Sequence, residues 1–147
     1  MADARLAALH EARFTLALGL PREQAWQRLA ADIDAWWPAA YRASSAGSRM
    51  RLDVVPGGVL LEDAGQGNGV LWYTVQAVDA PSSLVLAGFI APPFGGPALS
   101  LLRLAIAERD GGHCVLEVHD SLLGHADPAA VEAGWRDVFG SFARFAA

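Results

Sequence analysis

The chain of 147 residues is 53% hydrophobic and 18% charged, which predicts one domain with a substantial core. Its net charge of −5 argues against the clustered positive surface that binds nucleic acid or anionic membranes. A single cysteine, Cys114, excludes an internal disulfide, and no apolar run reaches the roughly 18 residues of a membrane span. Asp3, His10 and Glu11 interrupt the apolar stretch that a signal peptide would need, so we expect a cytoplasmic protein.

The first predicted elements are a strand and two short helices. Hydrophobic and polar residues alternate over 13–20, the pattern of a half-buried strand, whereas residues 1–12 are expected to fray. Pro21 suits the first position of a helix, and Asp32 can cap a second helix that ends before Pro38. The second helix carries two adjacent tryptophans, Trp36 and Trp37.

Strand and turn signals fill residues 49–120. Runs rich in branched and aromatic residues are separated by short turns rich in Gly, Pro and Asp. The short connections predict a mostly antiparallel sheet. The six predicted strands cover residues 49–54, 59–62, 70–78, 84–90, 99–107 and 114–120.

The last predicted element is a long helix over residues 127–146. Asp127 can cap it, and Pro128 fits its first position. Its apolar residues form one stripe at helical spacing: Val131, Trp135, Val138, Phe139, Phe142 and Phe145.

This order of elements predicts an α+β, helix-grip fold. A curved antiparallel sheet of about seven strands needs a cover on its concave face, and the aromatic C-terminal helix is the long element that can supply it. A strongly curved sheet cannot contact a straight helix along its whole length. We therefore expect an apolar cavity between the two.

In this order the chain resembles the START-like, or SRPBCC, superfamily over roughly residues 13–146. It is most similar to the bacterial branch that includes the activator of heat-shock-protein-90 ATPase and the polyketide cyclase/dehydrase families. The resemblance implies the helix-grip fold and permits several functions. Relatives often carry His where this chain has Asp120, so a chemical role of that His would not transfer here. The matching segments are residues 21–26, 36–38, 69–70, 75, 80–81, 120–125 and 134–135.

The candidate ligand-binding residues are aromatic side chains on the elements that should face the cavity. For Trp36 and Trp37 the alternative is core packing, because most buried aromatic residues only fill the core. Trp135 and Phe139 share one stripe of the C-terminal helix, which packs in part into the core and in this fold also walls the cavity. Phe94 lies in a Pro/Gly-rich loop, where it could gate the cavity mouth or fill a local gap. The candidates are Trp36, Trp37, Trp72, Phe89, Phe94, Trp135 and Phe139.

Asp120 is the candidate catalytic residue if the protein is an enzyme. It continues the inward face of its strand, so it could be a buried cavity carboxylate, or its side chain could cap the following turn. The same alternation places Glu117 and the adjacent His119 on the outer face. The other polar candidates are Asp53, Glu62 and His125.

Metal and cofactor chemistry are not expected. The four His residues lack metal-ligand spacing, and the glycine-rich stretch 65–69 lies between strands rather than before a helix. Cys114 lies inside a predicted strand, so we expect it to pack as a small hydrophobic residue rather than act as a nucleophile.

The main hypothesis is therefore a protein that binds a small hydrophobic molecule in the cavity. One alternative is a cyclase- or dehydratase-like enzyme that acts on a hydrophobic substrate in the same cavity. Another is a co-chaperone-like interaction module, which rests on fold analogy alone. Apolar surface at the sheet edge would also support a homodimer, a point the sequence leaves open.

Overall fold

A seven-stranded antiparallel sheet forms most of the computed structural model of the chain, which describes residues 2–44 and 47–147. The strand order is β1-β7-β6-β5-β4-β3-β2, so consecutive strands from β2 to β7 are neighbours and β1 closes against the last of them. The strands are β1 (Ala8–Leu18), β2 (Arg49–Leu52), β3 (Val59–Gly65), β4 (Asn68–Asp79), β5 (Ser83–Ile90), β6 (Ala98–Arg109) and β7 (His113–Gly124).

The first strand is longer than its alternating pattern predicts. It begins at Ala8, because residues 8–12 pair with residues 120–124 of β7, and this pairing satisfies their backbone groups. Part of the segment that was expected to fray therefore belongs to the sheet. The side chains of residues 8–12 are mostly exposed, so no alternation of hydrophobic and polar residues marks this part of the strand.

In the described part of the chain, three α-helices cover the inner face of the sheet: α1 (Arg22–Ala31), α2 (Ile33–Trp36) and α3 (Pro128–Phe145). Asp127 caps α3 as predicted, since its Oδ1 accepts hydrogen bonds from the backbone N–H groups of Ala129 and Ala130. The predicted cap of α2 is wrong, because the Asp32 side chain makes no capping hydrogen bond. None of the described helices is long and apolar enough to cross a membrane.

The core lies between the inner face of the sheet and these helices. Inward residues alternate with outward ones along β7, where Cys114, Leu116 and Val118 are buried as predicted. Phe142 of α3 is fully buried against the same core. Together the sheet and the C-terminal helix form the helix-grip arrangement that the order of elements predicts.

Candidate functional site

A cavity of about 380 Å³ lies between β4 and β5, the first half of α3 and the segment that follows α2. Its volume is within the range of roughly 300–1,000 Å³ that is usual for small-molecule sites. Among the described residues, none that lines it carries a charged side chain. Seven aromatic side chains form much of its surface: Trp37, Tyr41, Trp72, Tyr73, Phe89, Phe94 and Trp135.

Five of the seven predicted ligand-binding residues line this cavity, and Trp36 and Phe139 do not. The Trp36 ring is buried, its Nε1–H donates to the carbonyl oxygen of Leu29 at 3.1 Å, and its centre lies 5.1 Å from that of Phe142. It therefore joins the helices to one another. Of the adjacent pair, the structure places Trp37 at the cavity, because α2 ends at Trp36 and the chain continues in an extended conformation.

Phe139 belongs to the core for a similar geometric reason. It follows Trp135 by about one helical turn, so the two rings stack at a centre-to-centre distance of 5.5 Å and an angle of 29°. Phe139 also contacts Trp36 rather than the cavity. The stripe on α3 is thus divided between the cavity wall and the core.

The three tryptophans of the cavity wall use their N–H groups in hydrogen bonds to the protein. Trp37 donates to the backbone oxygen of Tyr41 at 3.1 Å. Trp72 donates to Glu62 Oε1 at 3.1 Å, and Trp135 donates to Asp120 Oδ2 at 3.0 Å. The hydrogen-bonding capacity of each indole is therefore used, and the rings offer the cavity carbon surface.

The two tyrosine hydroxyls of the wall are used in the same way. Tyr41 Oη donates to Asp137 Oδ2 at 2.6 Å, which joins the segment after α2 to α3. Tyr73 Oη donates to Ser100 Oγ at 2.6 Å inside the core. Burial raises the pKa of the Tyr73 hydroxyl, so it stays protonated and remains a donor.

Tyr73 was not among the sequence candidates, and a β-bulge explains why. Leu60 pairs with Tyr73 and Leu61 pairs with Leu71, which leaves Trp72 as an extra residue on β4. Regular alternation would place Trp72 and Tyr73 on opposite faces of the sheet, whereas both line the cavity.

Gly88 of the neighbouring strand makes room for the Tyr73 ring. A Cβ atom on Gly88 would lie 2.7 Å from two carbons of that ring and would also contact the Trp72 backbone oxygen. Glycine at this position therefore allows the ring to lie against the backbone of β5.

Asp120 is buried, which was one of its two alternatives, but it lies behind the wall of the apolar cavity rather than in it. Only 2% of the residue is exposed, and its carboxyl group accepts from Ser100 Oγ at 2.6 Å and from Trp135 Nε1. β7 continues to Gly124, so Asp120 caps no turn. Burial raises the pKa of Asp120 above its usual value, although the two hydrogen bonds act in the opposite direction.

Asp120 borders a second, more polar cavity of about 320 Å³ on the other side of the wall. Its titratable lining residues are His10, Glu11, Asp120 and Glu132. Asp120 therefore lies between a polar space and the aromatic wall of the apolar cavity.

Glu62, one of the polar candidates, is a second buried carboxylate behind the wall. It is fully buried and accepts from the backbone N–H groups of Ala43 and Ser44 at 2.9 and 2.7 Å. It also accepts from Ser48 Oγ and Trp72 Nε1, both at 3.1 Å. Burial alone would raise the pKa of Glu62, but the four hydrogen bonds outweigh it and the pKa is lowered.

The remaining polar candidates lie outside the apolar cavity. Glu117 and His119 are on the outer face of β7, as predicted, and His125 is exposed in the loop before α3. Asp53 pairs with Arg51 at 3.3 Å. Within residues 2–44 and 47–147, no group of three His, Cys, Asp or Glu side chains could hold a metal ion.

The rim of the apolar cavity is exposed and hydrophobic. Phe89 is 82% exposed and Phe94 is 60% exposed, the latter on a 3-10 turn over Pro92–Phe94. Leu71 on β4 is also exposed beside the cavity. Apolar surface therefore continues from the interior of the cavity to its mouth.

No protein-family model and no curated protein sequence matches the chain. Solved structures match it by fold. The Mll3558 protein from Rhizobium loti is 16% identical, with a TM-score of 0.70 over 95% of this chain and 99% of that one. CalU16 from Micromonospora echinospora is 16% identical, with a TM-score of 0.60 over 97% of this chain and 87% of that one.

A further match is DynU16, a protein of the dynemicin biosynthetic locus. It is 20% identical and has a TM-score of 0.60 over 92% of this chain, which spans about half of DynU16, namely 46%. At these identities the similarity concerns the fold. The chain has a helix-grip fold.

Proposed function

We propose that the protein binds a small, uncharged hydrophobic molecule in the apolar cavity between the sheet and α3. The observation that carries this proposal is the orientation of the wall, where the five polar tips of its Trp and Tyr side chains bond to the protein. A ligand would thus meet ring faces and edges. A charged ligand would lose its hydration without gaining an opposite charge.

The size and shape of the cavity indicate a ligand with two or three rings. An apolar cavity of about 150 Å³ holds benzene, so the 380 Å³ of this cavity corresponds to a larger, multi-ring molecule. The Trp37 ring lies edge-on to Trp72 and Trp135, at centre distances of 5.4 and 6.4 Å. Such a wall can contact a flat ligand through both stacked and edge-to-face arrangements.

The exposed rim supports entry of the ligand from this side. Phe89 and Phe94 offer hydrophobic surface before the interior is reached, and Phe94 lies on a short turn outside the sheet. The gating role predicted for Phe94 is part of this proposal. We further propose that residues 1–147 form the single domain that carries the site, in a cytoplasmic protein of the polyketide cyclase-like SRPBCC branch.

A second candidate function is a cyclase- or dehydratase-like reaction in the same cavity. The hydrogen-bonded series Tyr73, Ser100 and Asp120 favours it, because the series links the cavity wall to a carboxyl group. The position of Asp120 disfavours it, because its oxygens are occupied and it does not line the apolar cavity. Binding is therefore the better-supported function. The co-chaperone-like role and the homodimer stay predictions.

Two glycines of α3 provide a matched test. Gly134 lines the cavity, and a Cβ atom there would lie 3.4 Å from the Tyr41 ring. Gly140 lies outside the cavity, and its Cβ would meet the flexible end of Arg144 at 3.5 Å. Both lie inside the helix, so a change to Leu raises helix propensity by a similar amount in each.

The experiment is a fluorescence titration with N-phenyl-1-naphthylamine, a neutral lipophilic dye. We expect the wild-type protein and Gly140→Leu to bind the dye with similar affinity. Gly134→Leu should lose at least about tenfold in affinity, because the new side chain occupies the cavity. Equal binding by Gly134→Leu and Gly140→Leu, or no binding by the wild type, would contradict the proposal.

A further inference from the structure

We propose that Asp120 is a positioning residue for the apolar cavity, and that ligand affinity depends on the ionisation of its carboxyl group. This inference rests on the proposed function. Asp120 does not touch the ligand. It acts through two residues of the wall, Trp135 directly and Tyr73 by way of Ser100.

Hydrogen bonds connect the carboxyl group of Asp120, directly or through Ser100, to residues on three other elements. Asp120 of β7 accepts from Trp135 of α3 at 3.0 Å and from Ser100 of β6 at 2.6 Å. Ser100 in turn accepts from Tyr73 of β4 at 2.6 Å. The Tyr73 and Trp135 rings are neighbours in the wall, with their centres 5.7 Å apart. One carboxyl group thus sets the orientation of two adjacent wall residues.

The direction of these hydrogen bonds depends on the charge of Asp120. A carboxylate can only accept, so Ser100 donates to it and the Ser100 oxygen is free to accept from Tyr73. A protonated carboxyl group instead donates to Ser100, the nearest acceptor, and Ser100 must then donate to Tyr73. The hydrogen bond between Ser100 and Tyr73 is then reversed, and the buried Tyr73 O–H is left without an acceptor, which weakens the hold on its ring.

Protons can reach Asp120 from the side opposite the ligand. It borders the polar cavity, where His10 and Glu11 of β1 and Glu132 of α3 are the other titratable residues. His119 precedes it on β7 but lies on the outer face, beside Glu11. The titratable side chain of β4 in this hydrogen-bonded series is Tyr73, and β6 contributes the neutral Ser100.

The pKa of Asp120 supports titration above the usual range of an Asp side chain. Burial is the largest influence and raises it, while Ser100, Trp135 and the charge of His119 lower it. The pKa of Tyr73 is raised by burial, so its hydroxyl keeps its proton when Asp120 titrates. Acidification therefore changes the carboxyl group at one end of the series and leaves the phenol at the other end protonated.

The test is the dye titration repeated from about pH 8 down to about pH 4, a range that brackets a raised Asp pKa. The probe is again N-phenyl-1-naphthylamine, and circular dichroism at each pH checks that the fold is intact. We expect wild-type affinity to fall about three- to tenfold on acidification, the effect of one disordered hydrogen bond.

Two variants separate positioning from a general effect of acid. Asp120→Asn can accept from Trp135 and donate to Ser100, which reproduces the protonated carboxyl group. It should bind as weakly at high pH as the wild type does at low pH, with a flat profile. Tyr73→Phe keeps the ring and removes the hydroxyl that connects it to Ser100, so its profile should also be flat.

The outcomes distinguish this inference from the proposed function. No dye binding at any pH would overturn both. Dye binding with a flat wild-type profile would overturn only the role of Asp120. If dye affinity still falls with pH in both Asp120→Asn and Tyr73→Phe, the role of Asp120 is also overturned, because the titrating group is then another residue. If Asp120→Asn fails to fold, the Tyr73→Phe profile decides alone.

Discussion

Two buried carboxylates, Glu62 and Asp120, lie behind the same cavity wall and differ in how many hydrogen bonds they accept. Each receives the N–H group of one wall tryptophan, Trp72 in one case and Trp135 in the other. Glu62 accepts from three further donors, two of them backbone N–H groups, whereas Asp120 accepts from one further donor, the Ser100 hydroxyl.

The difference shows that burial alone does not decide the charge of an acidic side chain. Both residues lose their contact with water, yet the pKa of Glu62 is lowered and the pKa of Asp120 is raised. Four donors replace the hydration that an anion needs, and two do not. Glu62 therefore keeps its negative charge to a lower pH than an ordinary Glu side chain and holds the edge of the site together, while Asp120 takes up a proton at a higher pH than an ordinary Asp side chain.

Removal of the Glu62 acceptor should have the largest effect. Glu62→Leu leaves four donors without their acceptor, two of them backbone groups, so we expect the free energy of unfolding to fall by about 3 kcal/mol or more. Urea denaturation measures this loss. Glu62→Gln keeps one acceptor oxygen and should lose less. A loss below about 1 kcal/mol for Glu62→Leu would show that water replaces the carboxylate.

The same substitution at Asp120 should cost less. Asp120→Leu leaves two donors without their acceptor, the Trp135 N–H group and the Ser100 hydroxyl, whereas Glu62→Leu leaves four. We expect a loss of about 1–2 kcal/mol in urea denaturation at neutral pH. A loss equal to that of Glu62→Leu would mean that the number of donors does not explain the contrast.

The pH dependence of stability should have opposite signs at the two sites. The lowered pKa of Glu62 gives stability that is present above its usual value of 4.5 and is lost as the pH falls through the folded-state pKa. The pKa of Asp120 is raised, so in the folded protein it keeps a proton at pH values above 3.8, where the unfolded chain has released it. Its contribution to stability is therefore lost as the pH rises through the folded-state pKa.

Substitution of Asp120 shows how much this residue contributes to the pH dependence of stability. Asp120→Asn should gain stability relative to the wild type as the pH rises from about 4 to about 8, because Asn stays neutral in both states. Thermal unfolding at several pH values measures the difference. A relative loss of stability with rising pH would show that Asp120 is a stabilising anion like Glu62.

Phe94 provides a reference with the smallest expected effect on stability. It is exposed at the rim and contacts neither carboxylate in the hydrogen-bond network, so Phe94→Ala should change the free energy of unfolding by less than about 0.5 kcal/mol. Dye affinity should nevertheless fall, because the rim loses apolar surface. Unchanged affinity would remove Phe94 from the proposed entrance.

Periodic patterns predicted the elements of the fold. Alternation along residues 114–120 correctly placed Asp120 on the inner face, and the stripe on α3 correctly placed Trp135 towards the sheet. The Asp127 cap followed from local chemistry alone. These features depend on residues close together in the sequence, which is why the sequence was sufficient to find them.

The missed parts of the site depend on contacts between distant residues. The bulge at Trp72 is a property of the pairing with β3, so alternation along β4 could not reveal that Tyr73 lines the cavity. Glu62 accepts hydrogen bonds from two other segments, residues 43–48 and Trp72 of β4. The residues next to Glu62 in the sequence give no sign of these donors. Trp36 could not be told from Trp37 until the end of α2 was known.

A crystal structure of the protein soaked with N-phenyl-1-naphthylamine would test the central claim most directly, because it shows where a neutral aromatic molecule binds. We predict density for the dye in the apolar cavity, with its rings against Trp37, Trp72 and Trp135 and the polar tips of these residues still bonded to the protein. Dye confined to the outer surface, with the aromatic side chains closed into the space between β4, β5 and α3, would contradict it.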